Sequence, residues 1–221
     1  MLKFRVSDKM RYLSHAETLR VFQRACSRAG IDLVYSSGFN PRPKISLPLP
    51  RTVGLACDDE TCCLRLNRLN DCLDIQNLKG RLECQMPQGI ELFTVELAEQ
   101  SISFETGTAV YELPLKSELF SEQLQQRVDG LLATDSLMLS RQPHDRKKGR
   151  TVDVRGFLVS IELREPNVFV TTSFGPAGSI RVDEFLNLLQ LDLNALAGPV
   201  KRTKVLFKSM LNQQQSPVGN N

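Results

Sequence analysis

"LKFRVSDKMRYLSHAETLRVFQRACSRAG", residues 2–30, changes its hydrophobic period once, and that change sets the first two elements of the fold. Leu2 to Ser7 alternates apolar and polar residues at period two, the mark of a half-buried strand. Ser14-His15-Ala16-Glu17 then fits a capping box, with Ser14 at the N-cap and Glu17 three residues on, so each satisfies a free backbone N–H of the other. Leu19, Phe22, Cys26 and Ala29 recur at the spacing of an apolar helical stripe. Gly30 stands where a helix-terminating residue belongs. Arg20, Arg24 and Arg28 repeat every fourth residue and form a basic ridge away from that stripe.

The pattern continues outward from this strand and helix. Leu33-Val34-Tyr35 starts a second strand, residues 36–44 form a loop, and Ile45 to Leu49 alternates again. Residues 53–57 and 61–66 read as a hairpin around the acidic turn Asp58-Asp59-Glu60. A helix near 72–86 stops before Pro87-Gln88-Gly89, and Ile90 to Leu97 is a strand. The order β-α-β-β-α-β is the ferredoxin-like split βαβ plan. The second half repeats it less regularly, with strands at 109–115, 137–139, 152–174 and 200–207 and helices at 118–133 and 181–191. The expected architecture is α+β: two tandem ferredoxin-like domains with antiparallel sheets. The domains span 1–99 and 108–211, joined by a linker at 100–107, and the apolar-poor tail 212–221 is expected to be disordered.

Composition narrows the chemistry. The chain has 221 residues and a net charge of only +3, but the charge is unevenly spread. Residues 1–51 carry ten Lys/Arg against three Asp/Glu, residues 52–105 carry four against ten, and residues 141–150 carry five against one. A polarised chain can present a basic face to a polyanion, although such charges commonly only solubilise a surface. Cysteines at 26, 57, 62, 63, 72 and 84 contain no Cys-x-x-Cys spacing and have no histidine nearby, so neither a zinc nor an iron–sulfur site is expected. Walker A, GxGxxG and GxSxG motifs are absent. No apolar run approaches a membrane span, and the N-terminus has no targeting segment. Free thiols then suggest a cytoplasmic protein.

Two stretches carry the candidate site. His15 at the mouth of the first helix is a weak candidate for general acid/base work or for a hydrogen bond to phosphate. Its helical phase, beside Leu19 and Phe22, equally fits a packed residue at the top of the core. In Gly38-Phe39-Asn40-Pro41-Arg42-Pro43-Lys44, glycine permits a tight turn, and the prolines stiffen the backbone and extend their predecessors. Arg42 and Lys44 would share a face as phosphate donors, with Tyr35 and Phe39 available to stack on a base. An edge strand guarded by Pro and Lys explains the same residues without a ligand. Arg20 and Arg24 extend this cationic set, and Lys147, Lys148 and Arg155 are weaker additions. The expectation is that helix mouth and braced loop display their groups jointly toward one ligand.

These residues carry a resemblance. Tyr12-Leu13-Ser14-His15-x-Glu17-x-x-Arg20, with Arg24, Ala25, Arg28, Ala29 and Gly30, followed by Tyr35-Ser36-x-Gly38-Phe39-Asn40-Pro41-x-Pro43-x-Ile45-Ser46, resembles the bacterial radical SAM-linked domain of unknown function. The similarity resumes at Lys148-Gly149, Asp153-Val154-Arg155 and Gly178-Ser179-Ile180-Arg181, and departs at Gly156, where that family usually has Pro. The resemblance implies an accessory module encoded beside or fused to a B12-binding radical SAM protein. Its iron–sulfur cluster and SAM would then belong to a separate partner chain, with no cofactor bound by this one. The expected function is a non-enzymatic accessory protein that binds RNA (tRNA or rRNA), a radical SAM partner enzyme, or both. A metal-independent RNA-processing enzyme using His15 and a protein-only adaptor are the alternatives.

Overall fold

A computed structural model describes residues 1–67, 74–97, 104–141 and 149–208, and the chain divides into two compact units, Met1–Ser103 and Phe104–Asn221. Lys147, Lys148, residues 100–103 of the expected linker and the expected tail 212–221 lie outside the described residues.

The first unit contains β1 (Leu2–Val6), α1 (His15–Arg28), β2 (Ile45–Ser46), β3 (Ala56–Leu64), α2 (Ile75–Glu83) and β4 (Ile90–Val95). Its strands lie in the order β2-β3-β1-β4, every pair antiparallel. Alternation in β1 drives Leu2, Phe4 and Val6 into the core, where the Phe4 and Phe22 rings meet edge to face at 4.8 Å. Phe22 is fully buried, so truncation to alanine would cost about 3–5 kcal/mol. The capping box forms as the sequence predicts: Ser14 Oγ accepts from Glu17 N at 3.3 Å, and Glu17 Oε2 accepts from Ser14 N at 2.8 Å. Helix α1 ends at Gly30, whose φ of +62° favours glycine. The Arg81 guanidinium, reaching from α2, donates to the carbonyls of Ala29 and Gly30 and caps that end.

Two expectations for this unit are corrected. Residues 53–66 do not form a hairpin, because β3 runs unbroken through Asp58-Asp59-Glu60. Those acids look like a turn in sequence, but each has a use within the sheet. Asp58 accepts from Arg5, Asp59 accepts from Lys3 at 2.6 Å, and buried Glu60 accepts from the Cys57 thiol at 2.6 Å. The register shift between Phe4 and Val6 marks a bulge, which lets both Cys57 and Glu60 turn inward. Residues 33–35, read as strand, supply only the isolated bridges Leu33–Leu66 and Tyr35–Pro43, and of the expected strand 45–49 only the two residues of β2 are strand.

The second unit contains β5 (Gly107–Pro114), α3 (Glu122–Ala133), β6 (Met138–Arg141), β7 (Arg150–Asp153), β8 (Leu158–Arg164), β9 (Asn167–Gly175), β10 (Gly178–Ser179), α4 (Val182–Leu188) and β11 (Lys201–Phe207). Strands β8-β9-β5-β11 lie side by side and antiparallel, while β6 and β7 form a separate hairpin and β10 adds a short pairing to β9. The long stretch 152–174 divides among β7, β8 and β9, broken by the 3-10 turn Arg155–Phe157 and the Glu165-Pro166 turn. Strict alternation in β5 and β9 buries Ala109, Tyr111, Leu113, Val168, Val170 and Phe174; the Tyr111 ring lies 5.3 Å from Phe185 of α4, and Phe174 meets Phe207 of β11 edge to face at 5.5 Å. At Gly107 a Cβ would stand 2.2 Å from the Leu206 carbonyl oxygen, so only glycine lets β5 and β11 approach there. The overall class is mixed α and β with mostly antiparallel sheet, and among the described residues no helix is long and apolar enough to cross a membrane.

Candidate nucleic-acid interface

The braced loop grows from a small ladder at the end of β3. Val34 N donates to Arg65 O at 2.8 Å, Lys44 N to Val34 O at 2.7 Å, and Arg65 N to Lys44 O at 3.0 Å. One step out, Ser36 N donates to Arg42 O at 2.8 Å, and Arg42 N donates to Ser36 Oγ at 2.9 Å. Five residues, Ser37 to Pro41, remain between those two as a closed apex. Gly38 takes φ +122°, and Phe39 stands clear of everything at 106 % relative exposure.

Alternation along this ladder sorts the side chains. Ile45 lies opposite Leu64, and both pack against the core. Lys44 and Arg65, their immediate neighbours, therefore face each other on the opposite side, turned away from the helices. Arg42, two residues before Lys44, falls on that same side. Tyr35 pairs with Pro43 and belongs to the core-side row that begins at buried Leu33, although it keeps 47 % exposure. Arg42, Lys44 and Arg65 are all exposed, and none makes an ion pair among the described residues. Asp32, an acid at the base of the ladder, accepts from the Asn67 amide at 2.9 Å. Arg65 was missed in the sequence because the polar position of an alternating strand carries no signal of its own. Only its register against Lys44 singles it out.

Arg20, Arg24 and Arg28 are exposed along the outer face of α1, as the four-residue repeat predicts. Arg20 has a local role too: its charge joins the hydrogen bonds from Ser14 in holding the Glu17 carboxyl below its ordinary value. The ridge and the loop cations occupy opposite faces of the layer formed by helix and sheet.

His15 stands apart from both. It is the first residue of α1, half-buried, with its Nδ1 enclosed and without a hydrogen-bond partner among the described residues. The chain entering α1 is gathered by Arg51, whose guanidinium donates to the carbonyls of Arg11, Leu55, Met10 and Leu13 and to Thr18 Oγ1. Those contacts fix the helix mouth beside Leu55, at the start of β3, whereas the loop springs from its end. The nine residues of β3 between those two points span about 26 Å of extended backbone. The helix mouth is thus anchored near the start of β3 and the ladder at its end.

Arg155 is committed elsewhere. Its guanidinium donates to the carbonyls of Thr134, Leu158 and Leu132 at 2.7–2.8 Å, tying the end of α3 to the start of β8. Asp153 Oδ1 accepts from Arg155 N and Leu137 N; those two bonds, with Ser136 and the Arg155 charge, hold its carboxyl below the ordinary value. A Cβ at Gly156 would meet nothing within 4 Å. The Gly178–Arg181 element is equally structural. Ser179 O accepts from Arg141 at 2.7 Å, and Arg181 is the N-cap of α4, its N–H donating to Glu184.

The thiols are quiet. Burial pushes Cys26 up to about 11, Cys62 well above its ordinary value, and Cys63 up as well, so they are held protonated rather than as nucleophilic thiolates. Among the described residues no three His, Cys, Asp or Glu side chains are grouped to hold a metal ion.

Residues 1–184 match the model of a family described as an uncharacterized protein conserved in bacteria (DUF2344). The chain belongs to that family. No curated protein matches it. The DUF2344 match spans α1, the braced ladder, the Asp153–Arg155 knot and the start of α4, and so takes in every candidate residue described above.

Proposed function

We propose that this DUF2344 protein is a non-catalytic accessory protein that binds RNA, tRNA or rRNA, through the ladder at the end of β3, and presents it to a radical SAM enzyme supplied as a separate chain. The observation that carries this is the exposed row Arg42, Lys44 and Arg65, three cations on one face of a backbone stiffened by prolines and hydrogen bonds, with no acid of the described residues paired to them. Other cations of the same basic segment are neutralised internally: Lys3 by Asp59 and Arg5 by Asp58 and Glu91. Preorganised cations lose little entropy on gripping phosphate, which favours a polyanion as their ligand. The Arg20–Arg28 ridge would serve as a second track for a backbone that passes around the β2 edge. We read each unit as a ferredoxin-like domain, on the support of its element order and of strand successions β2-β3-β1-β4 and β8-β9-β5-β11. The radical SAM partnership rests on the sequence resemblance.

Binding of bulk tRNA and rRNA, followed by anisotropy across a salt titration, tests the reading. Four to six phosphate contacts predict a slope of about −3 to −4 in log K against log salt, at roughly −0.7 per contact for single strands. The Arg42→Ala/Lys44→Ala variant should flatten that slope by about 1.4 with folding unchanged. Absence of RNA binding at low salt would overturn the proposal, and co-purification of a radical SAM enzyme after nuclease treatment would then favour the adaptor reading. The enzymatic alternative requires His15, at a helix mouth tied to the start of β3, to act with cations at the far end of that nine-residue strand, which weighs against a shared active site.

A further inference from the structure

We infer that the braced loop recognises an unpaired nucleotide, with Phe39 as the platform on which its base stacks. This rests on the RNA reading above and adds the form of the RNA. The Phe39 ring is wholly exposed at the apex, more so than any other large apolar side chain of the described residues, and it contributes nothing to the core. Its placement is not slack. The reciprocal Ser36–Arg42 bonds close the loop three residues to either side, Gly38 adopts a φ of +122° that other residues avoid, and Pro41 stiffens the return. A rigid aromatic apex next to a row of phosphate-binding cations is the arrangement that single-strand binders use: stacking for the base, charge for the backbone. A duplex offers this ring nothing, because both faces of each internal base are already stacked and the A-form major groove is too narrow to admit it. An extruded or loop base has a free face. The cation row supplies the choice of partner, since a protein ligand would need acids matched to Arg42, Lys44 and Arg65 as well as a pocket for Phe39, whereas one nucleotide carries both complements in a single unit.

The test uses the full chain and one short labelled oligoribonucleotide, offered as a single strand and as the same strand in a complete duplex. Phe39→Ala should bind the single strand about 5- to 150-fold more weakly, with Phe39→Tyr retaining wild-type affinity. Duplex affinity and the thermal melt should not change. Equal loss on both forms, or no loss on either, overturns the inference. The Arg42→Ala/Lys44→Ala variant separates the two levels. If it weakens both forms while Phe39→Ala weakens neither, the RNA reading stands and the stacking role falls. If wild type binds neither form, both fall together.

Discussion

The two units set the same succession of four main strands around arginines put to opposite uses. In Met1–Ser103 the ladder at the end of β3 leaves Arg42 and Arg65 in solvent beside Lys44, and the outer face of α1 does the same for Arg20, Arg24 and Arg28. In Phe104–Asn221 several arginines are engaged by the protein's own acceptors. Arg155 bonds three carbonyls, Arg141 is clasped by Glu184, and Arg127 reaches the Leu189 carbonyl at the end of α4. Arg81 and Arg51 show that the first unit also uses guanidinium groups to gather loose carbonyls. A basic residue in a motif is thus ambiguous. A guanidinium with five donors satisfies helix-end carbonyls as readily as phosphates, and only the acceptors near it decide which.

The sharpest way to break that contrast is at Glu184. Its carboxylate takes a two-pronged bond from Arg141 at 2.5 and 2.7 Å and a third from Arg181 N, with both partners 9 % exposed. Glu184→Ala strands a largely buried guanidinium and should cost about 3 kcal/mol, read as a lowered urea midpoint. Burial raises the Glu184 pKa, but the bonds from Arg141 and Arg181 and the charges of those residues outweigh it and hold the group below its ordinary 4.5. Its stabilisation is therefore complete above 4.5 and drains away as pH falls through the lower folded value, so wild type and Glu184→Ala should converge in acid. A stability difference that persists unchanged there would mean the pair is not what the substitution removed.

Arg155→Ala comes next, at about 2 kcal/mol, because three carbonyls lose a charged donor. RNA affinity and salt slope should stay at wild-type values. A flattened slope would return Arg155 to the ligand-facing set and erase the contrast between the units. The smallest effect is expected at His15. Half-buried and with Nδ1 unpartnered, it can be replaced by alanine with a stability change of about 0.5 kcal/mol or less and no change in RNA binding. Loss of an RNA-cleaving activity in His15→Ala, with affinity retained, would instead move function to the helix mouth.

Much of the scaffold was legible because its signals are local. The Ser14–Glu17 box, the Phe22/Cys26 stripe and the Gly30 stop each need only a few neighbouring residues. Where local signals misled, a distant partner was the cause. Asp58-Asp59-Glu60 reads as a turn until Lys3 and Arg5 are brought alongside from β1, and a strand of acids then becomes affordable. The candidate site was legible in its parts and not in its grouping. His15, Arg24 and Arg42 are close in sequence, but a helix and a nine-residue strand carry them to different places.

The sequence by itself determined where β1, α1, α2 and β4 lie, where α1 begins and ends, and that residues 36–44 form a turn, because backbone propensity and hydrophobic period act over a few residues. Tertiary structure decided which charges remain for a ligand. Ion pairs and carbonyl acceptors from remote segments absorb Lys3, Arg5, Arg51, Arg141 and Arg155, and the register of β2 against β3 sets Lys44 beside Arg65. Charge is a property of a residue, but its availability depends on everything packed within hydrogen-bonding reach.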